Sequence, residues 1–249
     1  MKIDINCDLG EGVNIDDCVR DAVLMGFISR CNIACGGHAG DDATMALTVA
    51  NALKHNLAIG AHPSYPDREN FGRKSLSLPE ERLLQSIAKQ IDALSDIAAR
   101  ASTTLDHVKL HGALYNDAEA DPKLAQAIVA MLNRCYPQLT LLGLANASME
   151  QAARKLGQPF LREGFMDRRY LNDHQLAPRS QTGAVIDEFA LCRQQTMCLI
   201  RGETFSSIEG KPLRFTVDSI CLHGDNPQAV HIAALLHQAL YEADIRICA

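Results

Sequence analysis

Short apolar runs alternate with longer segments of helical periodicity along almost the whole chain. The runs cover residues 3–7, 31–35, 57–61, 108–110, 139–144, 160–165 and 219–222, and each ends in a burst of Gly, Asn, Asp or His. Between two of them, Ala43, Ala46, Leu47, Ala50 and Leu53 recur at helical spacing, and Leu84, Ile87, Ala88, Ile91 and Leu94 repeat the pattern further on. Each set predicts an amphipathic helix with that stripe facing the core. Ile232, Leu235, Leu236, Ala239 and Leu240 form the stripe of a last helix. Helix starts are marked too. Ser77 and Glu80 have capping-box spacing, Asp41 or Asp42 is placed to cap, and Asp121-Pro122 and Asn226-Pro227 each set a capping side chain before a proline suited to the first turn.

Seven strands separated by helices pair in parallel through right-handed crossovers, which fits a closed barrel or a doubly wound sheet. The long polar connections, 63–78 and 166–183, follow strands, whereas the helix-to-strand connection at Asn56 is short. That asymmetry favours a TIM-like β/α barrel of about seven parallel strands, with the strand-to-helix loops gathered at one mouth. Residues 196–217 break the rhythm, with β-branched residues around Glu209-Gly-Lys-Pro, and predict a hairpin insertion. No linker or low-complexity tract divides the chain, so residues 1–249 are expected to form a single domain.

Composition narrows the class. The chain has 249 residues, 47% hydrophobic and 22% charged, with a formal net charge of −6. These are the proportions of a globular protein. A mildly acidic chain without a Lys/Arg run argues against nucleic acid or an anionic membrane as partner and leaves a small-molecule substrate as the default. The start, Met1-Lys-Ile-Asp-Ile-Asn, lacks a signal-peptide pattern, and no apolar stretch approaches the roughly 20 residues that span a bilayer. A cytoplasmic location is expected. The nine cysteines form no CxxC pair and read as reduced, mostly buried thiols.

The chemistry lies at the strand ends. In Asn6-Cys-Asp8, strand alternation puts the two polar side chains on one face, and Lys109 and His111 share a face in the same way. His38 stands among three glycines, His62 ends the third strand and His223 ends the seventh. A single histidine or aspartate at such a place is ordinarily a cap or a hydrogen-bonded core residue. Asp8, His38, His62, Lys109, His111 and His223 all fall at the same end of different strands, and burying so many polar groups is costly unless they serve one another or a ligand. They are the candidate catalytic residues. His55, His231 and His237 lie on helices and His107 precedes a strand, so surface or structural roles are expected for these four. Imidazoles with a carboxylate bind a divalent metal or act as metal-free acids and bases, and spacing leaves both open. Lys109 is suited to an oxyanion, and Arg168 or Arg179, on a long loop, to a substrate carboxylate. No GxxxxGK[ST] and no strand-linked GxGxxG occurs.

The strings themselves carry a resemblance. Asn6-Cys-Asp-Leu-Gly-Glu11, Asn32-Ile-Ala-Cys-Gly-Gly-His-Ala-Gly-Asp41, Ile59-Gly-Ala-His-Pro-Ser-Tyr-Pro-Asp67, Phe71-Gly-Arg73, Val108-Lys-Leu-His-Gly-Ala-Leu-Tyr-Asn116, Glu163-Gly-Phe-Met-Asp-Arg168 and His223-Gly-Asp-Asn-Pro227 closely resemble the LamB/YcsF family, in the same order from the first strand to the last helix. The resemblance implies a barrel of the glycoside hydrolase/deacetylase kind and a hydrolase role in the ATP-dependent opening of 5-oxoproline to L-glutamate, with 5-oxoprolinase subunits B and C as partners and ATP used by the complex. It brings Asn6, Glu11, Glu163, Arg168 and Asp225 into the site, and Arg179 joins them as a substrate-binding candidate. Gly37, where an aromatic is expected, and Leu110, where proline is expected, depart from the pattern. A stand-alone metal-dependent deacetylase or amidase, and a non-catalytic regulatory subunit, are the rival readings.

Overall fold

The apolar runs become strands because their alternate residues have two different interiors to face. In chain order the elements are β1 (Lys2–Leu9), α1 (Ile15–Leu24), a 3-10 turn (Met25–Phe27), β2 (Arg30–Ala34), α2 (Asp42–Lys54), β3 (Ala58–His62), α3 (Glu80–Arg100) and β4 (His107–Lys109). There follow α4 (Gly112–Ala120), α5 (Pro122–Cys135), β5 (Thr140–Leu144), α6 (Ser148–Leu156), β6 (Phe160–Phe165) and α7 (Phe189–Arg201). The chain ends with β7 (Phe205–Ser206), β8 (Pro212–Leu213), β9 (Ser219–Leu222), α8 (Ala229–Glu242) and β10 (Arg246–Ile247). The structure is a computed structural model that describes residues 1–12, 15–222, 224 and 228–249, with backbone only for residues 15 and 16. The expected site residues His223 and Asp225, and the expected cap Asn226-Pro227, lie outside the described residues.

Strands β1 to β6 and β9 pair in parallel in that order, and β9 returns to β1 with Asp4 opposite Ser219 and Asn6 opposite Cys221. The sheet is thereby closed into a seven-stranded TIM-like barrel with helices around it. Short β10 adds to the beginning of β1 in parallel. Ile3, Ile5, Cys7 and Leu9 are buried in the hydrophobic core between sheet and helices, joined by Cys31, Ile33, Ile59, Val108 and Ile220. From α3, Leu83, Ile87, Ile91 and Leu94 pack into that layer, each burial worth about 1.5–3 kcal/mol.

The alternate residues face the barrel axis, and there the filling is polar. Arg30 Nε lies 3.2 Å from Asp4 Oδ2, Arg30 Nη1 lies 3.1 Å from His107 Nδ1, and Arg30 also pairs with Asp106. Because His107 Nδ1 accepts from a guanidinium, its Nε2 carries the proton and donates to Asn32 Oδ1 at 2.7 Å. Burial pushes the His107 pKa down to about 4, so the ring is neutral. Asn32 Nδ2 in turn donates to Asn6 Oδ1 at 2.8 Å and Asp8 Oδ1 at 2.7 Å. A hydrogen-bonded column thus runs along the axis to the carboxyl ends of the strands. His107, expected in a surface or structural role, is a structural member of it.

Three local expectations need correction. On α2 the buried residues are Thr44, Met45, Thr48, Val49, Asn51 and Ala52, while Ala43, Ala46 and Leu53 are exposed. Alanine is small enough for either face, so the stripe read from Ala and Leu alone is rotated from the true one, which also buries two threonines. Asp41 caps this helix through a reciprocal pair with Thr44. The Ser77–Glu80 capping box does not form, because α3 starts at Glu80 itself, with Pro79 as its cap residue and no side-chain cap bond. Residues 196–201 complete α7, and the extended part of 196–217 is confined to the antiparallel pair Phe205–Ser206 with Pro212–Leu213. Among the described residues no helix is long and apolar enough to cross a membrane.

Gly60 is the gap that admits the His107 ring: a Cβ on it would stand 2.2 Å from His107 Nε2. Gly60→Ala is expected to displace the ring, break its bond to Asn32 and cost about 1–3 kcal/mol, read as a lower urea midpoint with unchanged slope.

Candidate active site

Each strand end delivers its side chain for a local reason. Asp8 is the third inward residue of β1, and Glu11 follows in the turn behind it. His38 lies in the glycine-rich loop after β2, whose Gly37 has no room for a side chain: a Cβ there would stand 2.2 Å from Gln90 Oε1 and 2.4 Å from Ser64 Oγ. That accounts for the missing aromatic. His62 ends β3, Lys109 ends β4, and His111 is the residue before α4, where Gly112 at φ +58 turns the chain against the Gly72 carbonyl. Leu110 between them is fully buried in the core.

Lys109 is the centre of charge. Its Nζ lies 2.9 Å from Asp8 Oδ1, 2.8 Å from Glu163 Oε1, 3.1 Å from Asn6 Oδ1 and 3.3 Å from Cys221 Sγ. Burial works to deprotonate the ammonium, but Asp8, Cys221 and Glu163 more than offset it and hold its pKa well above the usual lysine value. Burial likewise works to raise Asp8, and His62 and Lys109 overcome it, so the carboxyl stays well below the usual range. Tyr115 Oη donates to the other oxygen of Glu163 at 2.8 Å. With Oδ1 of Asp8 engaged by Asn32 and Lys109, Oδ2 is turned toward His62 Nε2 at 3.4 Å.

Beside this triad, Glu11, His38, His62 and His111 each bring one donor atom within 4.8 Å of the others, a group able to hold a metal ion. Glu11 Oε1 lies 3.0 Å from His38 Nε2, 3.1 Å from His111 Nδ1 and 3.7 Å from His62 Nε2. The His38 and His111 rings stack at 3.6 Å with 3° between their planes. Burial pushes His38 down to about 4, so its contact with Glu11 is a hydrogen bond from a neutral imidazole to a carboxylate and not an ion pair. His62 is opposite in sign: burial lowers it, but Asp8 and Glu11 raise it above the ordinary histidine value. Burial also opposes ionisation of Glu11, yet the bonds from His111 and His38 keep its pKa below the usual range.

Asp8, Glu11, His62, Lys109 and His111 line one side of a cavity of about 690 Å³, which the loop after β6 completes with Arg168, Leu171, Gln175, Leu176 and Arg179. Arg168 is buried. One of its terminal nitrogens donates to the Ala177 carbonyl at 2.6 Å, and its Nε has no hydrogen-bond partner among the described residues. Burial and neighbouring Arg179 both disfavour its charge. His38, Asn6 and Glu163 sit behind the cavity wall, against the residues that line it. Sequence reasoning quoted Asn32, Tyr115 and Phe71 only within the family strings and did not name them as site residues; the Phe71 carbonyl accepts from His111 Nε2 at 3.0 Å. The signals were present for two of them: Arg30 and Asn32 alternate along β2 toward the axis, and Tyr115 follows His111 at i+4.

A model of the LamB/YcsF family matches residues 3–249. The A subunit of the Erwinia tasmaniensis 5-oxoprolinase is 44% identical over 239 residues, 96% of each chain. The lactam utilization protein of Thermus thermophilus superposes with a TM-score of 0.92 at 33% identity, over 100% of both chains. The family 4 carbohydrate esterase from Streptomyces lividans superposes with a TM-score of 0.51 at 10% identity, over 99% of this chain and 91% of that one, which is a likeness of fold alone.

Removing the ammonium leaves two carboxyl groups, Asp8 and Glu163, without their shared cation. Lys109→Met is expected to lose about 3–5 kcal/mol in urea unfolding at neutral pH. Asp8, whose folded pKa is depressed, contributes stability above its unfolded pKa of about 3.9 and loses it as pH falls. The gap between wild type and variant should therefore narrow in acid.

Proposed function

The chain belongs to the LamB/YcsF family, and from that premise we propose that it is the A subunit of an ATP-dependent 5-oxoprolinase, opening the cyclic amide 5-oxoproline to L-glutamate together with subunits B and C. The observation that carries this reading is the 44% identity to the A subunit of a 5-oxoprolinase over 96% of both chains. The cavity supports it chemically. 5-Oxoproline has a reacting lactam carbonyl at one end and a carboxylate at the other. The cavity has imidazoles and an ammonium on one side and two guanidiniums on the other. Arg168 and Arg179 take the carboxylate, which relieves the repulsion between them and gives the buried Arg168 Nε an acceptor.

A lactam carbonyl is a poor electrophile, and phosphorylation of its oxygen at the expense of ATP makes the carbon easier to attack. Asp8, held well below the usual carboxylate range, is a weak base at neutral pH, so proton removal from the attacking water falls to an imidazole of the His62–His111 pair. Asp8 orients that pair, and Lys109, kept protonated, stabilises negative charge developing on the substrate. The proton then passes to the departing ring nitrogen, which becomes the amino group of glutamate, and a second water splits the resulting γ-acyl phosphate into the γ-carboxylate and inorganic phosphate. A divalent ion bound by the Glu11 and histidine group would occupy the imidazole lone pairs and, in place of an imidazole base, would lower the pKa of the water or polarise the carbonyl. ATP is used by the complex, and this chain carries no GxxxxGK[ST] loop. The reading places the protein in the cytoplasm, where cysteines such as the seven buried free ones here stay reduced.

Purified alone, the chain is expected to form no glutamate from 5-oxoproline and ATP, and to do so once subunits B and C are added. In that mixture Asp8→Asn and His111→Gln should each lower kcat by roughly 10²–10⁴. Wild-type rates in both variants would remove these residues from the reaction, and ATP-independent amide hydrolysis by the chain alone would favour the stand-alone amidase instead.

A further inference from the structure

The backbone sets the tautomers of the two histidines that face Glu11. His62 Nδ1 lies 2.9 Å from the Lys109 carbonyl oxygen, and His111 Nε2 lies 3.0 Å from that of Phe71. A carbonyl oxygen only accepts, so both of those nitrogens carry their proton, and in the neutral rings the opposite nitrogens present lone pairs. Those lone pairs, on His62 Nε2 and His111 Nδ1, face one another at 3.0 Å. His111 Nδ1 also faces Glu11 Oε1 at 3.1 Å, and His62 Nε2 faces Asp8 Oδ2 at 3.4 Å. Three acceptor-to-acceptor contacts meet in one buried place. A single added proton does not relieve them all. On His62 Nε2 it leaves His111 Nδ1 against the Glu11 carboxylate, and on His111 Nδ1 it leaves His62 Nε2 against Asp8.

A cation with two charges relieves all of them at once. We propose that this pocket is a metal centre holding one divalent transition-metal ion, ligated by Glu11 Oε1, His62 Nε2 and His111 Nδ1. Ligand atoms about 2.1 Å from a common ion stand about 3.0 Å apart at octahedral angles and about 3.4 Å apart at tetrahedral ones. The three separations here are 3.0, 3.1 and 3.7 Å. Two imidazoles and one carboxylate suit zinc, manganese, iron, cobalt or nickel and not calcium. All three ligands line the cavity, so the remaining coordination positions open toward the substrate.

The groups around the ligands are arranged for orientation. Each ligating ring donates its other N–H to a carbonyl, and His38 donates to Glu11 while stacking flat on His111. Phe71, whose carbonyl holds His111, is in the left-handed region at φ +55, a conformation that a bulky residue adopts only when its surroundings impose it. Asp8 is not a ligand in this arrangement. Its Oδ1 is engaged by Asn32 and Lys109, and its Oδ2, 3.4 Å from the ligating His62 Nε2, sets a negative charge beside the ion.

The inference stands apart from the lactam reading, because it is tested on the isolated full-length chain without ATP or 5-oxoproline. Chain stripped with a chelator is titrated with Zn²⁺, Mn²⁺, Co²⁺ and Ni²⁺ by calorimetry and analysed for bound metal. The expected result is one equivalent per chain for at least one of these ions, with a raised Tm on loading. Glu11→Gln, His62→Gln and His111→Gln should each weaken binding by roughly tenfold or more, whereas His237→Gln, on α8, should not. Absence of saturable binding by the wild-type chain overturns the proposal whether or not the variants fold. So does full-affinity binding retained in the doubly substituted His62→Gln/His111→Gln chain.

Discussion

The Lys109 ammonium, held inside the barrel between Asp8 and Glu163, is the interaction on which the rest of this structure depends. It links β4 to β1 and β6 across the axis, at 2.9 and 2.8 Å, and so fixes the mutual placement of strands that do not pair with one another. A lone ammonium or carboxylate at this depth would lose its charge to desolvation. Side by side, Lys109 and Asp8 keep theirs, with Lys109 raised and Asp8 lowered. The arrangement also saturates one oxygen of Asp8 and turns the other toward His62.

This barrel has a polar axis and an apolar jacket. Aliphatic residues of the strands meet the helices outside, while Asp4, Arg30, His107, Asn32 and Asn6 form a bonded column inside. The column supports the carboxyl ends of the strands from beneath. His107 fixes Asn32, and Asn32 donates both amide protons, one to Asn6 and one to Asp8. Such a network is worth having only when every member is satisfied, since a half-paired buried amide or imidazole costs more than an apolar replacement. Gly60, by lacking a side chain, makes the space in which the column is complete.

The two sides of the cavity have different physical characters, and this asymmetry supports a small substrate with a reacting carbonyl and a remote anion. Near β1 to β4 the groups are close-packed, their protons assigned by backbone carbonyls. Near the loop after β6 they are long arginine side chains, one buried and one exposed. On the proposed reading, rigid elements hold the reacting groups and a loop carries those that would recognise the substrate.

Much of this was legible in the linear chain, because strand and helix periods are local properties. The seven apolar runs predicted the seven barrel strands to within a residue or two, apart from a β1 that runs on to Leu9, and the loop lengths predicted which end would be the mouth. Asp8, His62, Lys109 and His111 could be picked out because their neighbours in sequence have one alternation and they break it with charge. The buried face of α2 was misread because alanine fits either side of a helix, and the end of α7 because β-branched residues are compatible with a helix that packs well. Which polar group answers which is a matter of contacts between residues such as Lys109 and Asp8, about a hundred positions apart, that only barrel closure brings within 3 Å. The chain alone determined where the polar groups would gather. Tertiary structure decided their protons, partners and charge, because those depend on distance and desolvation, and neither exists until the barrel is closed.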